Sequence, residues 1–117
     1  MTTRTVIHIF HDDDDSIGLG SRVPQRMFEV AHERGVEIEV FCFGPAQRRL
    51  SDAGDGAATF NRQIDELVAA GVHVGACVNA ARADGVEDAL RDRGLVLRVA
   101  RDEFLRFAVE GATVLTF

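Results

Sequence analysis

Short apolar runs alternate with longer amphipathic stretches along the whole chain. "TVIHIF" (Thr5–Phe10) is β-branched and almost continuously apolar, the pattern of a strand covered on both faces. "SRVPQRMFEVAHERG" follows, with Val23, Met27, Val30 and Ala31 at helical spacing; this predicts a helix with Pro24 in its first turn and Gly35 as its stop. In "VEIEVFCF" (Val36–Phe43), Val36, Ile38, Val40 and Cys42 alternate with Glu37, Glu39, Phe41 and Phe43. The two glutamates make its first half look half-exposed, as in an outer strand.

The less regular "GPAQRRLSDAGDGAAT" predicts a short helical piece ending near Leu50, then a loop. "TFNRQIDELVAAG" restores helical periodicity through Phe60, Ile64, Leu67 and Val68, with Thr59 as candidate N-cap. "VHVGACV" reads as a third strand, and "NAARADGVEDALRDRG" as a helix interrupted at Gly85. "LVLRVA" is a fourth strand, "RDEFLRFAVEG" a helix carrying Phe104, Leu105 and Ala108, and "ATVLTF" a fifth strand. Strands and helices thus alternate, with connections too long for hairpins. The expected fold is a three-layer α/β/α sandwich around a five-stranded, mainly parallel sheet of flavodoxin-like type. One domain over residues 1–117 accounts for the length.

Composition narrows the function. A net charge of −6 argues against binding nucleic-acid backbones, and Trp and Tyr are absent. No apolar stretch reaches the ~20 residues of a membrane span, and "MTTRTVIHIF" lacks the features of a secretory signal. A cytoplasmic location with reduced thiols is expected. All 13 basic residues are Arg, so the P-loop lysine is missing, and no G-x-S-x-G elbow occurs.

In an open parallel sheet, ligands gather beyond the carboxyl ends of the strands. "FHDDDDS", "FCFGPA" and "ACVNAA" lie there and bring His11, Gly44, Cys77 and Asn79 to one edge. Cys77 ends its strand where a helix begins, and amide N–H groups at a helix start stabilise a thiolate. Such a thiol suits sulfur carriage as a persulfide, and the alternative for a cysteine here is core packing, the ordinary use of a free thiol. His11 is a candidate ligand-orienting group or a solvated loop residue. Asp12–Asp15 lack the alternating spacing of a calcium loop and suit helix capping instead. His8 and His73 sit within strands, where a hydrogen-bonded interior or a subunit-contact role is the ordinary reading. His73 lies two pleats, roughly 13 Å, from Cys77, too far to activate it. Cys42, between Phe41 and Phe43, reads as core; its pairing with Cys77 would need matching register and face. Neither a metal site nor a cofactor is expected.

The acidic loop after the first strand, "GVEIEVFCFG" and "GVHVGACVNAA" together resemble the DsrE/DsrF-like family of small α/β sulfur-relay and sulfur-oxidation proteins and their uncharacterised relatives. The likeness runs over nearly the whole chain, including the closing "ATVLTF", and is most specific at Gly71–Val72 ahead of Ala76–Cys77. It implies Cys77 as persulfide acceptor, donor and acceptor proteins as partners, and a homo-oligomer, commonly a trimer or hexamer. The alternative on the same fold is a binding module or structural oligomer without a covalent step.

Overall fold

Every apolar run noted above becomes a strand. The structure, a computed structural model, describes residues 3–117. In chain order the elements are β1 (Thr3–Ile9), α1 (Asp14–Ala31), β2 (Val36–Cys42), α2 (Pro45–Arg48), α3 (Ala58–Ala69), β3 (His73–Cys77), α4 (Val78–Ala83), α5 (Glu87–Asp92), β4 (Val96–Arg98), α6 (Ala100–Val109) and β5 (Thr113–Thr116). The strands form one sheet in the order β4-β3-β2-β1-β5, and every neighbouring pair is parallel.

The order reverses once, between β4 and β5. With right-handed crossovers, α6 is thereby carried to the face opposite the other helices. Side-chain alternation bears this out. Ile7, Ile9, Ile38, Val40, Val74 and Leu97 point into a large core with Ile17, Ile64, Leu67 and Leu90 of α1, α3 and α5. Val6, Phe41 and Cys77 point the other way, into a smaller cluster with Ala100 and Phe107 of α6. The result is the expected three-layer sandwich, with one face thickly covered and the other roofed by a single ten-residue helix. No helix among the described residues is long and apolar enough to cross a membrane.

Five local expectations are corrected. α1 starts at Asp14, so Pro24 lies inside the helix rather than in its first turn. The aspartate run sets that start: the Asp13 carboxylate accepts from the Ser16 N–H at 3.0 Å, and Asp14 and Asp15 occupy the first turn. Pro24 forfeits one helical hydrogen bond, and full burial of its ring offsets part of that cost. Val30, expected on the apolar face of this helix, is exposed.

β2 is a central strand, not an outer one. Its glutamates are neutralised rather than solvated. Arg4 donates to Glu37 at 2.8 Å, and Arg106 from α6 pairs with Glu39, which is only 5% exposed. Thr59 does not cap α3, because a 3₁₀ turn at Asp55–Ala57 runs straight into it and Ala57 takes the cap position. In α6 the buried side chains are Ala100, Glu103 and Phe107, whereas Phe104 and Leu105 are exposed. Pairing of Glu103 with Arg106 is what lets a carboxylate face the sheet.

Candidate functional site

At the carboxyl edge, β2 ends at Cys42 and the chain must turn at once into α2. Gly44 makes that turn at φ +62°, where a Cβ would also sit 2.4 Å from Cε2 of Phe10. Only glycine fits. Beside the turn opens a cleft of about 360 Å³, bounded by Phe43, Gly44, Pro45, Gln47 and Ala80 and flanked by the Arg48–Asp84 ion pair at 3.7 Å. Its walls are largely apolar with a few polar groups, the usual make-up of a small-ligand site.

Cys77 ends β3 and is the N-cap residue of α4, as its position in the sequence suggests. Its side chain is only 6% exposed, packed with Val6, Phe41, Ala100 and Phe107, and does not line the cleft. Phe43 and Ala80 pack against the cluster that holds Cys77 and also line the cleft, so the two regions share these residues. The helix it caps has six residues, which limits the field available to a thiolate. Its backbone is held by the buried side chain of Gln47, which donates to the Cys77 carbonyl and accepts from its N–H.

Cys42 lies on the opposite face of the sheet, fully buried in the larger core, and burial pushes its thiol up to about 12. Register pairs it with Ala76, so the two thiols point to different layers, and both cysteines are free. A redox pair is ruled out by face, not by distance along the strand.

Of the other residues brought to this edge, only Gly44 lines the cleft. His11 is exposed: its N–H donates to the Phe117 carbonyl at 3.1 Å, and its ring stands edge-on to Phe10. Asn79 is exposed on the first turn of α4. Gln47, which grips Cys77, carried no signal in "GPAQRR" that distinguished it from a surface residue.

A second polar cluster lies toward the amino ends of the strands, under α6. Glu39 and His73 are direct register partners on β2 and β3, and Glu103 approaches from α6. Arg106 donates to both glutamates, and Arg4 ties Glu37 to Glu110. His73 Nε2 is buried with no hydrogen-bond partner among the described residues; the closest carboxylate oxygen, Oε1 of Glu39, is 3.6 Å away. The expectation of a hydrogen-bonded interior histidine therefore fails at that atom. His8 fails in the same way. Its Nδ1 meets Thr116 Oγ1 at 3.1 Å, but Nε2 is unpartnered among the rings of Phe10, Phe41, Phe43 and Phe104. Burial lowers the pKa of His8, with a smaller contribution from His11.

No family model and no curated protein matches the chain. Two solved structures share its fold. A conserved protein of unknown function from Bacteroides thetaiotaomicron superposes with a TM-score of 0.77 at 13% identity, over 97% of this chain and 94% of that one. A protein of unknown function from Methanobacterium thermoautotrophicum gives 0.73 at 22% identity, over 98% and 99%. The chain is thus a five-stranded parallel α/β sandwich whose architecture recurs end to end in bacterial and archaeal proteins.

Proposed function

We propose that this protein binds a small, partly apolar ligand non-covalently in the cleft at the carboxyl edge of the sheet. The observation that carries the reading is the cleft itself: about 360 Å³, placed where open parallel sheets take ligands, with Phe43, Pro45 and Ala80 as apolar walls and Gln47 as a fixed polar group. Titration with anilinonaphthalene sulfonate, followed by amide NMR, tests it. Saturable shifts at Gly44, Gln47 and Ala80, abolished in Ala80→Trp, support the site. Binding that is scattered over the surface, or unchanged in Ala80→Trp, overturns it.

A second reading, sulfur carriage at Cys77, is favoured by the residues, Phe43 and Ala80, that the cleft shares with the Cys77 cluster. In that reaction the Cys77 thiolate attacks the outer sulfur of a donor persulfide and expels the donor thiolate. An acceptor thiolate then attacks the outer sulfur of the Cys77 persulfide and releases the Cys77 thiolate. Cys77, only 6% exposed, must be uncovered for either step. The expectation of a trimer or hexamer is carried forward on a different feature: Leu105, Val109 and Val114 of α6 and β5 are exposed apolar residues beside an uncovered edge strand.

A further inference from the structure

We propose that the ligand of the carboxyl-edge cleft is a free α-amino acid with an apolar side chain, held at its zwitterionic head by Arg48 and Asp84. This ligand class rests on the non-covalent reading of the cleft and deepens it. Two of the residues around the cleft are charged, and their signs are opposite. Arg48 closes α2 and Asp84 follows directly on α4, the helices entered from the neighbouring strands β2 and β3. Parallel pairing of those strands brings both helices to one edge and sets a cation beside an anion at one opening.

The pair is not closed on itself. Arg48 Nε stands 3.7 Å from Asp84 Oδ2, beyond hydrogen-bonding distance, and neither side chain hydrogen-bonds to another described residue. The guanidinium keeps its terminal donors for a carboxylate, which it can meet with two parallel bonds. Asp84 keeps its acceptors for an ammonium group. A lone carboxylate on a ligand is repelled by Asp84, and a lone ammonium by Arg48. An α-amino acid satisfies both residues at once. Its ammonium nitrogen and carboxyl carbon lie about 2.5 Å apart on a single carbon, so the head can rest against the pair with its charges matched. A peptide terminus carries only one of the two charges and does not match.

The rest of the cleft suits the side chain. Phe43, Pro45, Ala80 and Ala83 are apolar, and Phe43 offers a ring for aromatic or aliphatic contact. Gln47 is engaged by the Cys77 backbone, so the uncommitted polar side chains are the two charged ones. The backbone N–H of Gly44, in the same wall, donates to no group among the described residues and is a further donor for the carboxylate. At about 360 Å³ the cleft is at the small end of ligand pockets, which favours a molecule the size of one residue.

The test titrates the full chain, at neutral pH and low salt, with L-phenylalanine, 3-phenylpropanoate and phenethylamine, read by amide NMR at Gly44, Gln47 and Ala80. L-Phenylalanine should bind about fivefold more tightly than either singly charged analogue, the upper range for ion pairs open to water. Arg48→Gln should weaken L-phenylalanine about fivefold without weakening phenethylamine, and Asp84→Asn should weaken it about fivefold without weakening 3-phenylpropanoate. Both side chains are open to water, and the spectra of the free variants check the fold. No saturable L-phenylalanine binding, equal affinities for the three compounds, or affinities unmoved by both substitutions each overturn the amino-acid site. Saturable anilinonaphthalene sulfonate shifts at the same amides would then leave the cleft itself in place, whereas loss of those shifts as well overturns both readings together.

Discussion

The side-chain amide of Gln47 closes two hydrogen bonds on the backbone of Cys77: Nε2 donates to the carbonyl at 2.8 Å, and Oε1 accepts from the N–H at 3.0 Å. The pairing has a topological cause. The β2–β3 register ends at Cys42–Ala76, and Phe43 turns away to donate its N–H to Ile9. Cys77 is therefore left without a strand partner on that side, and the Gln47 amide takes the place of the missing residue. Both backbone groups are satisfied in a buried setting, and the end of β3 is fixed against α2.

Removing that amide leaves two buried backbone groups unpaired. Gln47→Ala should lose about 2–4 kcal/mol of unfolding free energy in a urea titration, at one to three for each orphaned group with partial recovery by water. Gln47→Glu replaces the donor by an acceptor facing a carbonyl and should be at least as damaging. A loss below about 0.5 kcal/mol in Gln47→Ala would show that the contact is dispensable.

Thiol accessibility separates the two cysteines. In the native protein both should alkylate far more slowly than in urea, since both are buried and Cys42 is held protonated at neutral pH. Phe43→Ala removes a ring packed against the Cys77 cluster and should speed Cys77 labelling at least tenfold while leaving Cys42 slow. Parallel acceleration of both would indicate global loosening instead.

Burial of His8 gives a pH dependence whose sign is fixed. Its pKa in the folded chain lies below the unfolded value, so protonation favours the unfolded state. The His8 contribution is fully present above the unfolded pKa of about 6.5 and is lost as pH falls through the lowered native value. Stability of the wild type should decline from about pH 7 to pH 5, and His8→Gln should flatten that decline. An unchanged slope in the variant would contradict the assignment.

Arg106 is the counter-charge for both buried glutamates. Arg106→Met should cost about 3–5 kcal/mol, because Glu39 and Glu103 remain buried without their main partner. Adding Glu39→Gln and Glu103→Gln to that variant should recover part of the loss. Denaturant titration of the three proteins measures both effects.

The uncovered edge is the basis on which self-association is proposed. Every residue of β5 is exposed, Leu105 and Val109 lie exposed on α6, and Val109 is 87% exposed. Light scattering should report a trimer or hexamer, and Val109→Arg should lower the mass. A monomer in the wild type would remove this expectation.

How much of this could be read from the residues differs between backbone and site. Apolar runs marked all five strands, and a glycine shortly precedes four of them (Gly35, Gly71, Gly94 and Gly111); the covered strands of a parallel sheet are apolar on both sides. The central place of β2 was hidden. Glu37 and Glu39 look like solvent-facing positions until Arg4 and Arg106, distant in sequence, are folded against them. Pro24 misled in the same way, since local preference puts proline in a first turn while the Asp13 cap starts the helix earlier. At the site, Gly44 and the strand-end position of Cys77 were legible from the turn and the apolar run. The depth of Cys77 was not, because the residues that cover it, Val6, Phe41, Ala100 and Phe107, come from three other elements. Glu39, His73 and Glu103 carry no spacing motif; only the β2–β3 register and the descent of α6 join them.

We propose that the carboxyl-edge cleft works without a covalent step at Cys77. Whole-protein mass spectrometry after incubation with a persulfide donor, in the absence of reductant, tests it most directly. An unchanged mass is expected for the wild type, and a gain only when Phe43→Ala loosens the packing around Cys77. Addition of a sulfur atom to the wild type, absent in Cys77→Ser, would contradict it.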